Sequence, residues 1–587
     1  MAFRTLKWRR SQAGDEPAQG SQRSWPAEPG TAAPGSAGGA APPFGDDVRD
    51  VTRRVLAQLR PAAAWRDHRL FTILAALSLI PRLIAMLGFR PALLIQDSFS
   101  YMAGGVHLKP GQTRPAGYSM LLWVLHPFHS LLLVTTLQHL LGIAMAAIIY
   151  GLLRYRGLPA WGACIAAAPT LFDSREIWSE SSILPDLLFS VVVVVVTALL
   201  LSKRTPRLWQ CALAGLLLSW ATVIRGNGLP LILPVLAFFL IRRVGWKAFT
   251  AGLAAFAVPL IAYMSVFFAA YGQFDITDSN GMFLWSRTTS FANCSVIKPP
   301  ADLAALCPEN QPHGARPPAP AWSLPYTLGE RTPADYLWQP GTWYMTDAHP
   351  GINAYNNSRA QQFALDAIMS QPLDYAKVTA KEVMLTFLAT DKTSSFLTLH
   401  FTTAPHVAHL SHYQVHSLDA YGHTTRNTHA AQPWAFFMYV YQLPVYFPGV
   451  IFLLVMLAGL AGVARNWRRW GGPAALPWVL ALFDLVVPVA LVEYDYRYAI
   501  SAVPLACLAA GLVFIRQRPA PGAALPARSA GAPSAATDGH PAPDGHRVPT
   551  DTAPGSHHAT DGHRPASDTA PDGHHATDGD GPAGPRP

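Results

Sequence analysis

ILPDLLFSVVVVVVTALLL, residues Ile183–Leu201, decides the class of this chain. Apart from Asp186 and two hydroxyls the run is apolar, and as a helix it has about the length needed to cross the hydrocarbon core of a bilayer. Its ends differ in charge. Glu180 and Asp186 stand at its start, whereas Lys203, Arg204 and Arg207 follow its end. A run that is apolar on every side, acidic before and basic after, reads as an oriented membrane span.

Working outward, similar runs recur. Spans are expected near Leu70–Phe89, Leu131–Leu153, Leu158–Phe172, Ile183–Leu201, Leu208–Val223, Gly228–Ile241, Phe249–Ala270, Trp434–Val463, Ala474–Leu491 and Tyr498–Ile515. The basic clusters Arg154/Arg156, Lys203/Arg204/Arg207, Arg242/Arg243/Lys247 and Arg465/Arg468/Arg469 fall in alternate loops, and Arg516 and Arg518 follow the last span. Ten spans with both termini cytoplasmic put all of these clusters inside. The expected fold class is therefore an all-α polytopic membrane protein of about ten transmembrane helices, with a loop-rich extracytoplasmic segment between spans 7 and 8. Only 13% of the 587 residues are charged, against about 25% in soluble domains, which agrees. The net charge of +9 does not indicate nucleic acid, because the cations lie in short clusters between apolar runs with no basic-aromatic stripe.

The polar parts divide as follows. Residues 1–45, rich in Gly, Pro, Ala and Ser, are expected to be disordered, and 46–66 to form a juxtamembrane amphipathic helix on the inner leaflet or an ordinary solvated one. A transmembrane module at 67–270 precedes the outer segment at 271–433, within which Gln361–Ile368 and Tyr375–Leu388 look helical; the last spans occupy 434–516. The tail at 517–587 repeats variants of ATDGH and has no means of forming a core. In the outer segment, His406, His409, His412 and His416 recur every three or four residues, so a helix there would gather them on one face with Asp419; the string matches no established zinc signature. Cys294 and Cys307 both fall in this segment, where an oxidising compartment favours a disulfide. Cys164, Cys211 and Cys507 lie in spans as small apolar residues.

The same alternation gathers the acids on the outer side. Gln96–Tyr118, QDSFSYMAGGVHLKPGQTRPAGY, follows the first span and offers Asp97, Tyr101, Lys109, Arg114 and Tyr118. Asp173, Glu176, Glu180 and Asp186 lie in or border the second outer loop, Arg225 is in the third, and Glu493, Asp495 and Arg497 are in the last. Charges at span ends face a cavity more often than lipid, so these loops are expected to share a site. Asp97, Glu180 and Asp186 are the candidate catalytic residues, and Tyr101, Lys109, Arg114, Tyr118, Arg225 and Arg497 the candidate substrate-binding ones. Each has a plainer reading. Asp97 and Asp186 suit helix caps, Lys109 and Arg114 suit contact with outer-leaflet lipid, and Arg497 suits a structural pair with Glu493 or Asp495.

A multispanning chain with an acid in its first outer loop and a large late outer segment resembles the GT-C superfamily of glycosyltransferases, which use polyprenyl-phosphate sugars as donors. It is similar above all to the bacterial branch containing aminoarabinose transferase and the protein O-mannosyltransferase-like enzymes. The likeness covers roughly 70–515 and rests on the DSFSY string from Asp97, the RPAGY string from Arg114, ESSILPD from Glu180 to Asp186, RGNG from Arg225, and Tyr496-Arg497-Tyr498 followed by Pro504. The resemblance implies that Asp97 is the general base and Asp186 a second acid, the two together ligating a divalent metal (Mg or Mn). Where that family often has two adjacent acids in the first loop, Gln96 precedes Asp97 here. The implied partners are a polyprenyl-phosphate sugar, membrane lipid and an acceptor protein, lipid or cell-wall polymer. The Gly, Ala, Pro and Arg usage suits a GC-rich bacterium, and hence its plasma membrane, with the active site extracytoplasmic. A transporter or flippase of lipid-linked sugars and a non-catalytic membrane scaffold are the alternatives.

Overall fold

The computed structural model describes residues 61–311, 333–338, 340–388, 399–403 and 410–515, with backbone alone at 61–66 and 334–335. The expected disordered N-terminus, most of the 46–66 helix, the repetitive tail, and His406 and His409 lie outside the described residues; 61–66 open the first long helix.

Among the described residues the regular structure is almost all helix, with a single two-stranded ladder pairing Phe89–Arg90 and His429–Ala430. Five helices are long and apolar enough to cross a membrane: Asp67–Gly88, Leu131–Tyr155, Trp246–Tyr271, Gly472–Leu491 and Tyr496–Val513. Five more apolar helices, Ala160–Phe172, Asp186–Leu201, Leu208–Ile224, Gly226–Arg242 and Gly449–Arg465, are shorter. Length and composition alone thus support half of the ten expected spans.

Two expected boundaries change for a backbone reason. The run Trp434–Val463 is not one helix but α1, Trp434–Gln442, and α2, Gly449–Arg465, interrupted where Pro444 and Pro448 withdraw N–H donors and disfavour helical geometry just before themselves. The last span begins earlier than expected, as a short turn at Tyr496–Ile500 that continues into Val503–Val513.

The main core lies between these helices. Phe189, Val194 and Val196 on Asp186–Leu201 are fully buried, as are Leu218 and Leu508 on neighbouring helices. Their outward faces carry Leu83, Leu240, Val258, Ile261 and Leu454, each more than half exposed. An apolar inside and an apolar outside together are what lipid contact requires. The helix at Leu208–Ile224, labelled α3, meets that at Trp246–Tyr271, α4, through glycine. A Cβ on Gly215 would lie 2.0 Å from the Gly252 carbonyl oxygen, so the two backbones touch with nothing between them.

A second, smaller core forms within the long polar segment. Trp285, Leu306, Phe363 and Ala364 are fully buried in it, on Asn280–Thr288 and Ala354–Ser370 among other elements. Both helices expected in this segment form and run longer than read from sequence, to Ala354–Ser370 and Pro372–Leu388. Cys294 and Cys307 are joined by a disulfide at the edge of this core. They and Glu309 form the one group of potential metal ligands among the described residues, but the bridged sulfurs have no thiolate to offer. His412 and His416 sit exposed on the helix His412–Gly422, one turn apart.

The glycine contact gives a direct test of the bundle. Gly215→Val should push α3 from α4 and lower stability by about 1–3 kcal/mol, read as an earlier thermal unfolding midpoint in detergent, whereas Gly151→Ala, on an exposed helix face where an added Cβ meets nothing, should cost far less.

Candidate functional site

Residues 91–95, after the ladder strand, run between two other segments. Leu93 exchanges backbone hydrogen bonds with Ser181 and Ile183, at 3.0 and 3.2 Å, and the Leu94 N–H donates to Thr428 Oγ1 at 2.9 Å. This fixes the start of the helix Gln96–His107, α5, whose first turn carries Asp97. Ser98 serves the cap, accepting from the Ile95 N–H at 3.1 Å, so the Asp97 carboxylate is released for another use.

That use is a row of five charges of alternating sign. Arg114 donates to Asp97 Oδ1 at 2.6 Å, and Arg497 Nη1 donates to Asp97 Oδ2 at 3.0 Å. The same guanidinium donates through Nε to Asp186 Oδ2 at 2.9 Å. Arg225 Nη1 closes the row, 2.8 Å from Asp186 Oδ1; this is a charge contact whose N–H is not well aimed at the oxygen. Side-chain exposure falls from 20% at Arg114 to 4% at Asp186. The row therefore has an open end at Arg114 and Asp97 and a closed end beneath Asp186.

Within the row three cations face two carboxylates, and two further buried acids stand close by, Asp484 near Arg225 and Asp495 near Arg497 and Arg225. Arg225 is further held between the faces of Phe189 and Tyr498, 5.5 and 5.0 Å from the ring centres, and Arg114 lies 5.5 Å from the centre of Phe283 in the smaller core. The Asp97 carboxyl is largely withdrawn from water, which alone would raise its pKa, but Arg114 and Arg497 override this and hold it well below the usual carboxylate range. Tyr101 feels the charges of the row, and burial pushes its phenol up to about 12.

The expected residues thus fall into groups. Asp97, Asp186, Arg114, Arg225 and Arg497 come together, with Tyr101 beside them. The capping readings of Asp97 and Asp186 are not what the structure displays, since the residue before the Asp186 helix is Pro185 and both Asp186 oxygens face arginine. Nor does the Arg497 guanidinium pair with Asp495, which instead caps the last short helix by accepting from the Arg497 backbone N–H at 2.9 Å. Lys109 is exposed and sits 5.3 Å over the ring of Tyr271, apart from the row. Tyr118 is fully buried and donates to Gln138 Oε1 at 2.6 Å, while the Gln138 amide donates to the carbonyls of Glu180 and Ser182, both at 2.8 Å.

Glu180 belongs to a different cluster. Its two oxygens are taken by Arg82 at 2.7 Å and His139 at 2.8 Å, and it has no exposed surface. Gly142 makes room for it, because a Cβ there would lie 1.9 Å from Glu180 Oε1. This is a closed structural cluster of three with no face open to a substrate.

Arg82, His139, Asp484 and the pair Arg287–Glu382 were not singled out from sequence. A signal existed for two of them, since Arg82 and Asp484 interrupt apolar runs, where a charge needs a named partner. Asp484 is buried and accepts from Asn227 Nδ2 at 3.2 Å. Arg287 and Glu382, 2.6 Å apart and both buried, give no periodic signal at all.

No protein-family model, curated protein or solved structure matches this chain.

Two expectations follow from the electrostatics. Arg82→Gln leaves the Glu180 charge buried beside a single imidazole and should destabilise the fold by about 3–5 kcal/mol, detectable as a large fall in the thermal midpoint. Asp495 is buried and its carboxyl is pushed up to about 6, above its ordinary value near 3.9. The folded state then binds the extra proton, so stability should fall as pH rises from about 4 to 6. Asp495→Asn keeps the capping oxygen and should remove that fall, gaining up to about 3 kcal/mol at neutral pH; thermal midpoints across pH for both proteins measure it.

Proposed function

We propose that this protein is an integral-membrane glycosyltransferase that moves a sugar from a polyprenyl-phosphate donor to an envelope acceptor, in line with the GT-C resemblance. The observation that carries the reading is the row Arg114–Asp97–Arg497–Asp186–Arg225, assembled from separate connecting segments at one end of the bundle. It has three guanidinium groups, an open end, and at that end a carboxylate beside Arg114. On this reading the ten apolar helices are ten spans of a bacterial plasma membrane, both termini are cytoplasmic, and the row faces outward.

The chemistry would run as follows. The acceptor hydroxyl oxygen attacks the anomeric carbon while the bond from that carbon to the phosphate oxygen breaks, the phosphate leaving with the electron pair. The hydroxyl proton passes to Asp97. A carboxylate between two guanidinium groups is a weak base, so Asp97 suits the task only after one of them turns away. The donor phosphate supplies the means, since it competes for Arg114 and Arg497. Donor binding would thereby raise the proton affinity of Asp97 and stabilise the leaving phosphate at once.

A divalent metal does not fit this arrangement, because all four oxygens of Asp97 and Asp186 already face guanidinium groups and two or more would have to be surrendered. No step is routed through one. A transporter of the same donor is the second reading, and Asp484, buried inside a span, is the residue that favours it.

Asp97→Asn separates these readings. Transfer to an acceptor should fall about 10²–10⁴-fold, while donor lipid retained by the purified protein stays level or rises, because two arginines lose their competing carboxylate. Arg114→Gln should instead weaken donor retention. Wild-type transfer rates in Asp97→Asn would exclude Asp97 as the base. Donor movement across vesicles without transfer, abolished by Asp484→Asn, would establish the transporter.

A further inference from the structure

The short helix Ser174–Ser181, α6, lies in the connection between the apolar helices Ala160–Phe172 and Asp186–Leu201, and all eight of its residues are buried. A charge on such a helix needs a partner at hand. Glu180 has two, Arg82 and His139. Asp173, which caps the helix, accepts from the Arg175 N–H at 3.1 Å. Glu176 differs from both. It is 2% exposed, its Oε1 has no hydrogen-bond partner, and it forms no ion pair among the described residues. Ser179, one turn on and on the same side of the helix, likewise leaves its hydroxyl unpaired.

The surroundings make the ionised form of Glu176 the unfavourable one. The charges that bear on it are those of Glu180, Asp173, Arg82 and Asp186. Three of these four are carboxylates, and the cation is engaged elsewhere. Arg82 Nη1 donates to the carbonyls of Ser78 and Leu171 at 2.9 and 2.7 Å, and Nη2 to the Thr170 carbonyl and Glu180 Oε1 at 3.3 and 2.7 Å. The guanidinium of Arg175 lies over the rings of Tyr446 and Tyr496, 5.0 and 4.0 Å from their centres. Among the other titratable groups packed around α6, His139 turns Nδ1 to Glu180 and Tyr441 donates to the Phe172 carbonyl at 2.6 Å. Cys507, on the last apolar helix, is within electrostatic reach of Glu176 and offers no positive charge. Burial, and after it the charges of Glu180 and Asp173, push the Glu176 carboxyl well above the usual carboxylate range.

We propose that Glu176 is a proton-binding site, a neutral carboxylic acid enclosed by the bundle whose proton is linked to the charge row through Asp186. A proton cancels the charge that no cation on the neighbouring elements meets. The link is electrostatic. The negative charge of Asp186 opposes ionisation of Glu176, so neutralising Asp186 loosens the proton, and withdrawing an arginine from Asp186 tightens it. Enclosed ionisable groups at the ends of apolar helices are the usual stations of proton relays. The inference stands whether the row serves transfer or transport, because it uses the charge of Asp186 and neither chemistry.

The test uses the full chain in nanodiscs and dicyclohexylcarbodiimide, an apolar reagent for protonated carboxyls. The acid adds across one C=N bond, its oxygen joining the central carbon and its proton passing to nitrogen. The acyl group then shifts from oxygen to nitrogen, leaving a stable N-acylurea with no atom lost. At neutral pH, fragment masses should place the adduct on Glu176 and not on Glu180 or Asp186. A water-soluble carbodiimide should label it far more slowly, and labelling should fall as pH rises and the carboxyl ionises. Asp186→Asn should move the midpoint of that fall about one pH unit lower, and Arg225→Gln should move it higher. Infrared spectra read the same proton without a reagent. Wild-type protein at neutral pH should show the carbonyl stretch of a protonated carboxyl, and Glu176→Gln, which keeps a neutral side chain of the same shape, should lack that component. A spectrum that Glu176→Gln leaves unchanged would overturn the proposal, as would equal labelling by the water-soluble reagent. A midpoint that neither Asp186→Asn nor Arg225→Gln moves would overturn the link to the row.

Discussion

The Arg497 guanidinium touches Asp97 with one nitrogen and Asp186 with another, and the polar end of the molecule is arranged around that double contact. A planar fork can serve two carboxylates at once where an ammonium acts as a point charge. Removing any of these groups from water is costly, and the cost is offset only when each charge finds an opposite one at hydrogen-bonding distance. The row therefore constrains four connections far apart in sequence to meet. Around it, Glu382 accepts from the Tyr494 N–H at 2.8 Å while pairing with Arg287, which ties the smaller core to the loop that carries Arg497.

The same contact sets the chemical character of the site. A carboxylate flanked by arginines is ionised at every physiological pH and has little appetite for a proton, so the row by itself is an anion receptor more than an acid–base device. The proposed transfer mechanism turns this into an order of events, with the anionic donor releasing Asp97 before the acceptor needs it. Glu180, by contrast, has the closed surroundings of a structural charge, and neither of its oxygens is available.

Charge also distinguishes the two ends of the bundle. At one end acids and arginines neutralise one another within the protein. At the other, arginines gather beside apolar surface and exposed tryptophans, and no carboxylate among the described residues lies within ion-pair distance of Arg242. In a soluble protein such a surface would be a liability; beside a bilayer it is complementary to what surrounds it.

Much of this was legible in the sequence. The run Ile183–Leu201 and its fellows decided helices with an apolar exterior, because a segment apolar on all sides is stable only when buried or in lipid. The alternation of basic clusters decided which loops share an end, and with it that Asp97, Asp186, Arg225 and Arg497 would be neighbours in some form. What the sequence by itself did not decide was pairing. Nothing in the spacing of Asp97, Asp186 and Arg497 says which carboxylate each guanidinium takes, because hydrogen-bond partners 311 and 400 residues apart are chosen by the angles at which helices pack. For the same reason Glu180 looked equivalent to Asp186 until Arg82 and His139 closed over it, and Lys109 looked equivalent to Arg114 until the turn between them aimed one toward Tyr271 and the other toward Asp97. Hydropathy fixes which face of the bundle a charge inhabits; tertiary packing alone fixes the partner it meets there.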